Sequence, residues 1–216
     1  MATFASMLKG IRHIIFDLGG VLINLDYNLT ETAFVALGIP NFGELYSQLR
    51  QTPLFDQFET GMMGRDEFVS RLQEIAPVAL TEEQICRAWN AMLLDVPLRR
   101  LQILQQLRTY YDLILLSNTN EIHEEEFSRI LKDTHGIHLG AFFDRIYYSH
   151  RVGMRKPDTA IFQRILKETG FRPEHTLFID DTRQHIEAAA LLGIRTIWLQ
   201  PGMTIEEHVF LPKEAE

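Results

Sequence analysis

The chain has 216 residues, 46% of them hydrophobic, a net charge of −8 and one cysteine. That length suits a single core carrying a sizeable insertion better than two full domains. The negative balance disfavours nonspecific binding to nucleic acid or to an anionic membrane, and one thiol excludes an intrachain disulfide.

Met1 to Gly10 holds one lysine and no long apolar run, so no signal peptide is expected. No run of about 18 apolar residues occurs, so no membrane span is expected and a cytoplasmic setting is the expectation. Ile14-Ile15-Phe16 reads as a strand buried on both faces, and it ends at Asp17. In an open α/β sheet, ligands bind just beyond the carboxyl ends of the strands. Asp17 is therefore a candidate nucleophile or metal ligand, with Gly19 and Gly20 freeing the backbone to approach a ligand. The strand pattern stops after Val21-Leu22-Ile23.

From Asn24 to Pro97 the chain reads almost wholly as short helices. They are expected over Leu29–Leu37, closed by Gly38, then over Phe42–Leu49, Pro53–Glu59 and Asp66–Ile75. Thr81-Glu82-Glu83-Gln84 has the capping-box pattern and opens a helix expected to run through Leu94. Cys86 falls in its amphipathic pattern and reads as a buried, inert thiol. Met62, Met63 and Trp89 read as packing within this helical block.

Strands and helices then alternate. Helices are expected over Leu98–Tyr110, Glu121–Leu131, Pro157–Thr169 and Thr182–Leu192, and strands over Leu113–Ser117, Arg145–Ser149, Leu177–Asp180 and Arg195–Leu199. Pro157 would sit in the first turn of its helix. Glu124-Glu125-Glu126 reads as a solvated face near a helix N-terminus. The alternation argues for a parallel sheet with helices on both faces. The tail from Pro201 is polar and expected at the periphery.

Four short motifs stand in order: Asp17 after the first strand, Leu115-Leu116-Ser117-Asn118-Thr119, Arg155-Lys156-Pro157-Asp158, and Leu177-Phe178-Ile179-Asp180-Asp181. Each is weak alone. Together, from about Arg12 to Leu199, they resemble the haloacid dehalogenase (HAD) superfamily, most of whose members are Mg²⁺-dependent phosphatases. The resemblance implies a Rossmann-like α/β core over residues 1–23 and 98–216, with residues 24–97 inserted as a helical cap that closes over the active site. It implies Asp17 as nucleophile, Lys156 as charge-balancing catalytic residue, and Ser117 with Asn118 binding phosphoryl oxygens. Mg²⁺ would be held by Asp17, the Gly19 carbonyl and Asp180. Asp181 would lie beside the metal, one step behind it, or cap the following helix. Asn24 and Asp26, where core meets cap, are candidate substrate contacts. The expected partner is a small phosphorylated molecule, with no nucleic acid and no membrane.

The chain departs from the pattern at Gly19, where most HAD phosphatases carry an Asp that protonates the leaving group and activates water. Haloacid dehalogenases lack it too, so a metal-independent dehalogenase and a non-catalytic phosphate- or partner-binding protein are the alternatives. Asp17-Leu18-Gly19-Gly20-Val21, Ser117-Asn118-Thr119-Asn120 and Gly153-Met154-Arg155-Lys156-Pro157 look like a bacterial subgroup that includes α-D-glucose-1-phosphate phosphatase. That subgroup also has Gly at the acid position, which favours a sugar phosphate. His123 and His150 follow strand ends and could supply the missing acid/base group; as single loop histidines they also fit a structural role. His185, one turn after Asp181, receives no role.

Overall fold

The computed structural model describes residues 8–40, 42–46 and 53–210. Five strands, β1 (His13–Phe16), β2 (Asp112–Ser117), β3 (Arg145–Tyr148), β4 (Thr176–Asp180) and β5 (Arg195–Trp198), form one parallel sheet in the order β3-β2-β1-β4-β5. β1 is central, which its unbroken apolar run explains. Ile14 and Phe16 face one side, where they meet Leu101, Leu104 and Phe127. Ile15 faces the other, against Phe162, Ile165 and Ala189. A strand buried on both faces cannot alternate apolar with polar residues.

Register fixes the site. Phe16 pairs with Leu115 on one side and Ile179 on the other. Asp17 and Asp180, which follow directly, and Ser117, two residues beyond Leu115, therefore emerge at the same edge of the sheet. Helices over Leu98–Leu107, Glu121–His135, Thr159–Thr169 and Arg183–Ala190 cover its two faces.

Between β1 and Leu98 lie helices over Tyr27–Ala36, Phe42–Leu45, Pro53–Glu59, Arg65–Ile75 and Glu82–Asn90. They enclose an apolar cluster of their own, built on Phe34, Phe42, Phe55, Phe58, Phe68 and Trp89. Stacked ring pairs at centroid distances of 4.0 Å (Phe34–Phe42), 4.1 Å (Phe58–Phe68) and 5.2 Å (Phe55–Trp89) fill it. Thr81 makes the expected capping box with Gln84. Among the described residues no helix is long and apolar enough to cross a membrane.

Several sequence expectations are corrected. The Glu82 helix stops at Asn90 rather than Leu94, because Leu93 pairs with Leu25 in an antiparallel bridge. Residues 47–49 of the expected second helix lie outside the described residues. Pro157 precedes its helix, which starts at Thr159 with Asp158 as side-chain cap. Met63 is buried, but Met62 is 75% exposed. Glu124 is not simply solvated, since it pairs with His150 at 3.1 Å and with Arg151. The tail is not peripheral as far as Phe210. Ile205, Val209 and Phe210 are buried in the main core, and Glu206 pairs at 2.9 Å with the buried Arg100. Three apolar residues spaced over a single turn are enough for docking, although the local composition is polar.

Candidate active site

Lys156 organises the carboxyl edge of the sheet. Its side chain is fully buried, yet it carries an ammonium group. Nζ lies 2.7 Å from Asp17 Oδ1 and 2.7 Å from Asp180 Oδ2, and donates to Leu116 O at 3.1 Å. Three acceptors match its three donors. Burial alone would pull its pKa down, but the two carboxylates outweigh this and hold it above the ordinary lysine value.

Asn118 fixes the lysine from behind. Its amide donates to Lys156 O at 2.8 Å and accepts from Lys156 N at 2.9 Å. Ser117 is buried beside it at the end of β2 and lines the same cavity. Both polar ends of the Asn118 side chain are used on Lys156, so a phosphoryl contact from this residue would come from its backbone amide.

Carboxylate oxygens of Asp17, Asp180 and Asp181 all lie within 4.8 Å of one another. The two aspartates of the pair differ. Asp180 is fully buried, and its oxygens take the Thr182 N–H at 2.7 Å, Lys156 and His185 Nδ1 at 3.0 Å. Burial opposes its ionisation, but Lys156 and His185 hold its carboxyl down at about 2. Asp181 lines the cavity, and its backbone carbonyl accepts from Trp198 Nε1 at 2.9 Å. The helix after it begins beyond Thr182 without a side-chain cap, so Asp181 is not an N-cap. Gly20 gives it room: φ is +70°, and a Cβ there would overlap the Asp181 carboxylate.

The residues fit a divalent cation. Asp17 and Asp180 both pair with the one lysine, and a carboxylate oxygen of Asp181 lies within reach of the same point. Asp17 carries the cost, with its carboxyl pushed up to about 8 by burial and by Asp180 and Asp181, against the pull of Lys156. Hard oxygen donors in this number suit Mg²⁺.

The other candidates fall into place around this centre. Asn24 donates to Asp95 at 2.9 Å, and Asp26 caps the Tyr27 helix through the Asn28 N–H at 3.0 Å. Asn24 ties the two ends of the insertion together, Asp26 serves its own helix, and neither is among the residues lining the cavity. His123 lines the cavity but is stacked on Trp89 at 4.7 Å. The Trp89 carbonyl, 3.1 Å from Nε2, needs a donor, so Nε2 carries the proton and Nδ1 accepts from the Asn120 amide at 3.2 Å. Burial drives its pKa down to about 4. His150 is paired with Glu124 and Thr119 O, away from Asp17's cavity. Cys86 is buried, and burial raises its thiol pKa.

His185, left without a role by the sequence, abuts Asp180. Its spacing of five from that aspartate, at a helix start, was the available signal. The sequence also passed over Tyr27, Tyr46, Glu59 and Arg155, which line the cavity with Asp17, Ser117, Lys156 and Asp181. The enclosed space is about 80 Å³. Arg155 Nη1 pairs with Asp56 at 2.9 Å and Nη2 with Glu59 at 3.1 Å.

A family model described as haloacid dehalogenase-like hydrolase matches residues 11–193, which include every motif above. The chain belongs to the haloacid dehalogenase-like hydrolase family. It is 32% identical over 197 residues to the D-ribitol-5-phosphate phosphatase of Bacteroides thetaiotaomicron, covering 89% of this chain and 93% of that protein. A HAD-family enzyme from the same organism, crystallised as the wild-type protein with magnesium and inorganic phosphate, superposes with a TM-score of 0.82 at 34% identity. That match covers 89% of this chain and 96% of the other. A HAD-like hydrolase of Porphyromonas gingivalis matches with a TM-score of 0.82 at 34% identity, over 89% of this chain and 93% of its own. The five-stranded parallel sheet is thus the Rossmann-like HAD core, as the motif order implies.

Proposed function

We propose that this HAD protein is a Mg²⁺-dependent phosphatase that hydrolyses a small sugar or sugar-alcohol phosphate through Asp17. The observation that carries the reading is the Asp17–Lys156 pair at 2.7 Å with two further aspartates in reach of the same point. The relatives named above, one a pentitol-phosphate phosphatase and one crystallised with magnesium and phosphate, support it. Asp17, Asp181 and the Gly19 carbonyl would hold the ion. When bound, Mg²⁺ would neutralise phosphoryl charge and keep Asp17 ionised.

The chain's own groups do the rest. The Asp17 carboxylate attacks phosphorus and the alcohol departs, leaving an aspartyl phosphate that water then hydrolyses. Lys156 offsets charge on the nucleophile, and Ser117 faces the transferring group. Asp180 anchors Lys156, and with the Thr182 N–H and His185 also on its oxygens it is less open to the metal than Asp181. The inserted helices act as the cap, excluding water from the cavity. No protein acid stands at position 19, so the departing oxygen takes its proton from water. Metal-free dehalogenation would leave Asp181 without a use.

The test is phosphate release from sugar, pentitol and simple alkyl phosphates, with Mg²⁺ and with chelator, for wild type and Asp17→Asn. Turnover is expected to need both Mg²⁺ and Asp17. Halide release from a 2-halo acid in chelator would establish the dehalogenase instead. Phosphate binding without any turnover would leave a binding protein.

A further inference from the structure

Parallel pairing between β2 and β3 ends at Ser117 and Tyr148, but the two segments stay joined beyond it. After Tyr148 the chain turns into the short helix Ser149–Val152, and a side chain takes over from the backbone. The Ser149 hydroxyl accepts from Thr119 N–H at 2.9 Å and donates to Thr119 O at 2.9 Å. Both backbone groups of one residue thus rest on a single, fully buried oxygen-bearing side chain. His150 adds a second donor. Its Nδ1 donates to the same carbonyl at 3.2 Å, and its Nε2 pairs with Glu124 at 3.1 Å. Glu124 is held in turn by Arg151, and the His150 ring lies nearly parallel to that of Tyr148, with centroids 6.0 Å apart.

Thr119 lines the cavity and follows directly on Ser117 and Asn118. Its N–H is engaged by Ser149, so it holds the loop in place without donating to a phosphoryl oxygen. Asn118 is fixed by Lys156. Ser149 and Lys156 belong to one continuous segment, which Gly153, at φ +69°, turns out of the short helix. That segment therefore sets the loop and the lysine relative to each other. Phosphoryl transfer depends on such placement more than on covalent chemistry by the protein. Solvation of the buried carbonyl does not explain His150, because Ser149 already supplies a donor to it. What the imidazole adds is restraint, anchored through Glu124 to the helix that the same loop leads into.

We propose that Ser149 and His150 are positioning residues that hold Ser117 and Asn118 on the transferring group by fixing the Thr119 backbone. Neither touches the substrate. The proposal rests on the phosphatase reading and extends its machinery to the segment between β3 and Lys156.

The experiment measures kcat and KM for a pentitol 5-phosphate with Mg²⁺, well below the Tm of each protein, for wild type, Ser149→Ala and His150→Phe. The second variant keeps a ring beside Tyr148 and removes both hydrogen bonds. Ser149→Ala should lower kcat about tenfold or more, and His150→Phe several-fold, with KM within about threefold of wild type in both. His150→Phe carries the test if Ser149→Ala does not fold. Unchanged kcat in the folded variants, even with a lower Tm, would make the pair merely structural and overturn the proposal. So would a rise in KM larger than the fall in kcat, the pattern expected if the His150 segment acts by seating Gly61 of the cap. Absence of phosphate release by wild type from every ester would instead overturn the phosphatase reading, and this proposal with it.

Discussion

Leu25 stands where a side chain on residue 19 would have to go: a Cβ added to Gly19 would lie 2.6 Å from Leu25 Cδ1. Leu25 is itself held by its bridge to Leu93. A side chain at residue 19 is therefore accommodated only if the tip of Leu25 turns aside. Gly19→Asp alone is expected to cost about 1–3 kcal/mol from overpacking and to leave hydrolysis of alkyl phosphates no faster. Adding Leu25→Ala should restore much of the stability and raise alkyl phosphate turnover about tenfold or more. Denaturant melts and phosphate release for the single and double variants measure both. A single Gly19→Asp variant as stable as wild type would show that Leu25 yields freely.

Asp180 and Asp181 should separate by experiment. With Mg²⁺ at about 100 times its Kd, binding adds roughly 2.7 kcal/mol to stability, a rise of several degrees in Tm. Asp181→Asn is expected to abolish that rise while changing the metal-free Tm little. Asp180→Asn should lower the metal-free Tm, because Lys156, His185 and the Thr182 amide all lose a charged partner. Thermal scans with and without Mg²⁺ decide it, and the opposite pattern would make Asp180 the metal ligand.

His123 ties stability to pH. Its pKa falls to about 4 in the folded chain against 6.5 when unfolded. Below pH 6.5 the unfolded state takes the proton first, so the contribution is complete above 6.5 and lost as pH drops toward 4. The loss amounts to roughly 3 kcal/mol. His123→Phe keeps a ring against Trp89 and removes the titration. Urea unfolding at pH 7 and pH 4.5 should show a smaller pH-induced loss for the variant than for wild type. Equal losses would mean that His123 is protonated within the fold.

Gly61, after the Pro53–Glu59 helix, lies against the short helix Ser149–Val152 that follows β3. Its φ is +68°, and a Cβ would overlap the backbone carbonyl of His150. A carbonyl cannot swing aside as a side chain can. Gly61→Ala should cost about 1–3 kcal/mol and raise KM for the best phosphoester several-fold by displacing the cap. Wild-type KM and Tm in the variant would remove this contact from cap positioning.

The strand-end chemistry was legible because buried parallel strands announce themselves. Ile14-Ile15-Phe16, Leu115-Leu116 and Leu177-Phe178-Ile179 are apolar without interruption, so the polar residue that ends each run is conspicuous. Tyr27, Glu59 and Arg155 were not legible. Glu59 follows Phe58 in a helix where any exposed Glu would look the same, and only folding sets it beside Arg155. The different surroundings of Asp180 and Asp181 were hidden for a related reason. Adjacent residues on a strand end point to opposite sides, and the sequence does not say which side holds Lys156. The docked tail escaped notice because its three apolar residues form no repeated pattern.

The place of β1 has a consequence for how the protein is made. It is the first strand to leave the ribosome, yet its neighbours begin at Asp112 and Thr176, and Phe210 closes over Phe16 with ring centroids 6.1 Å apart. Nearly the whole chain must be synthesised before that strand is paired and covered. The helices that follow it can gather their own aromatic cluster much earlier. Synthesis therefore passes through a stage in which a finished helical bundle trails a bare apolar strand, the species on which a chaperone would act.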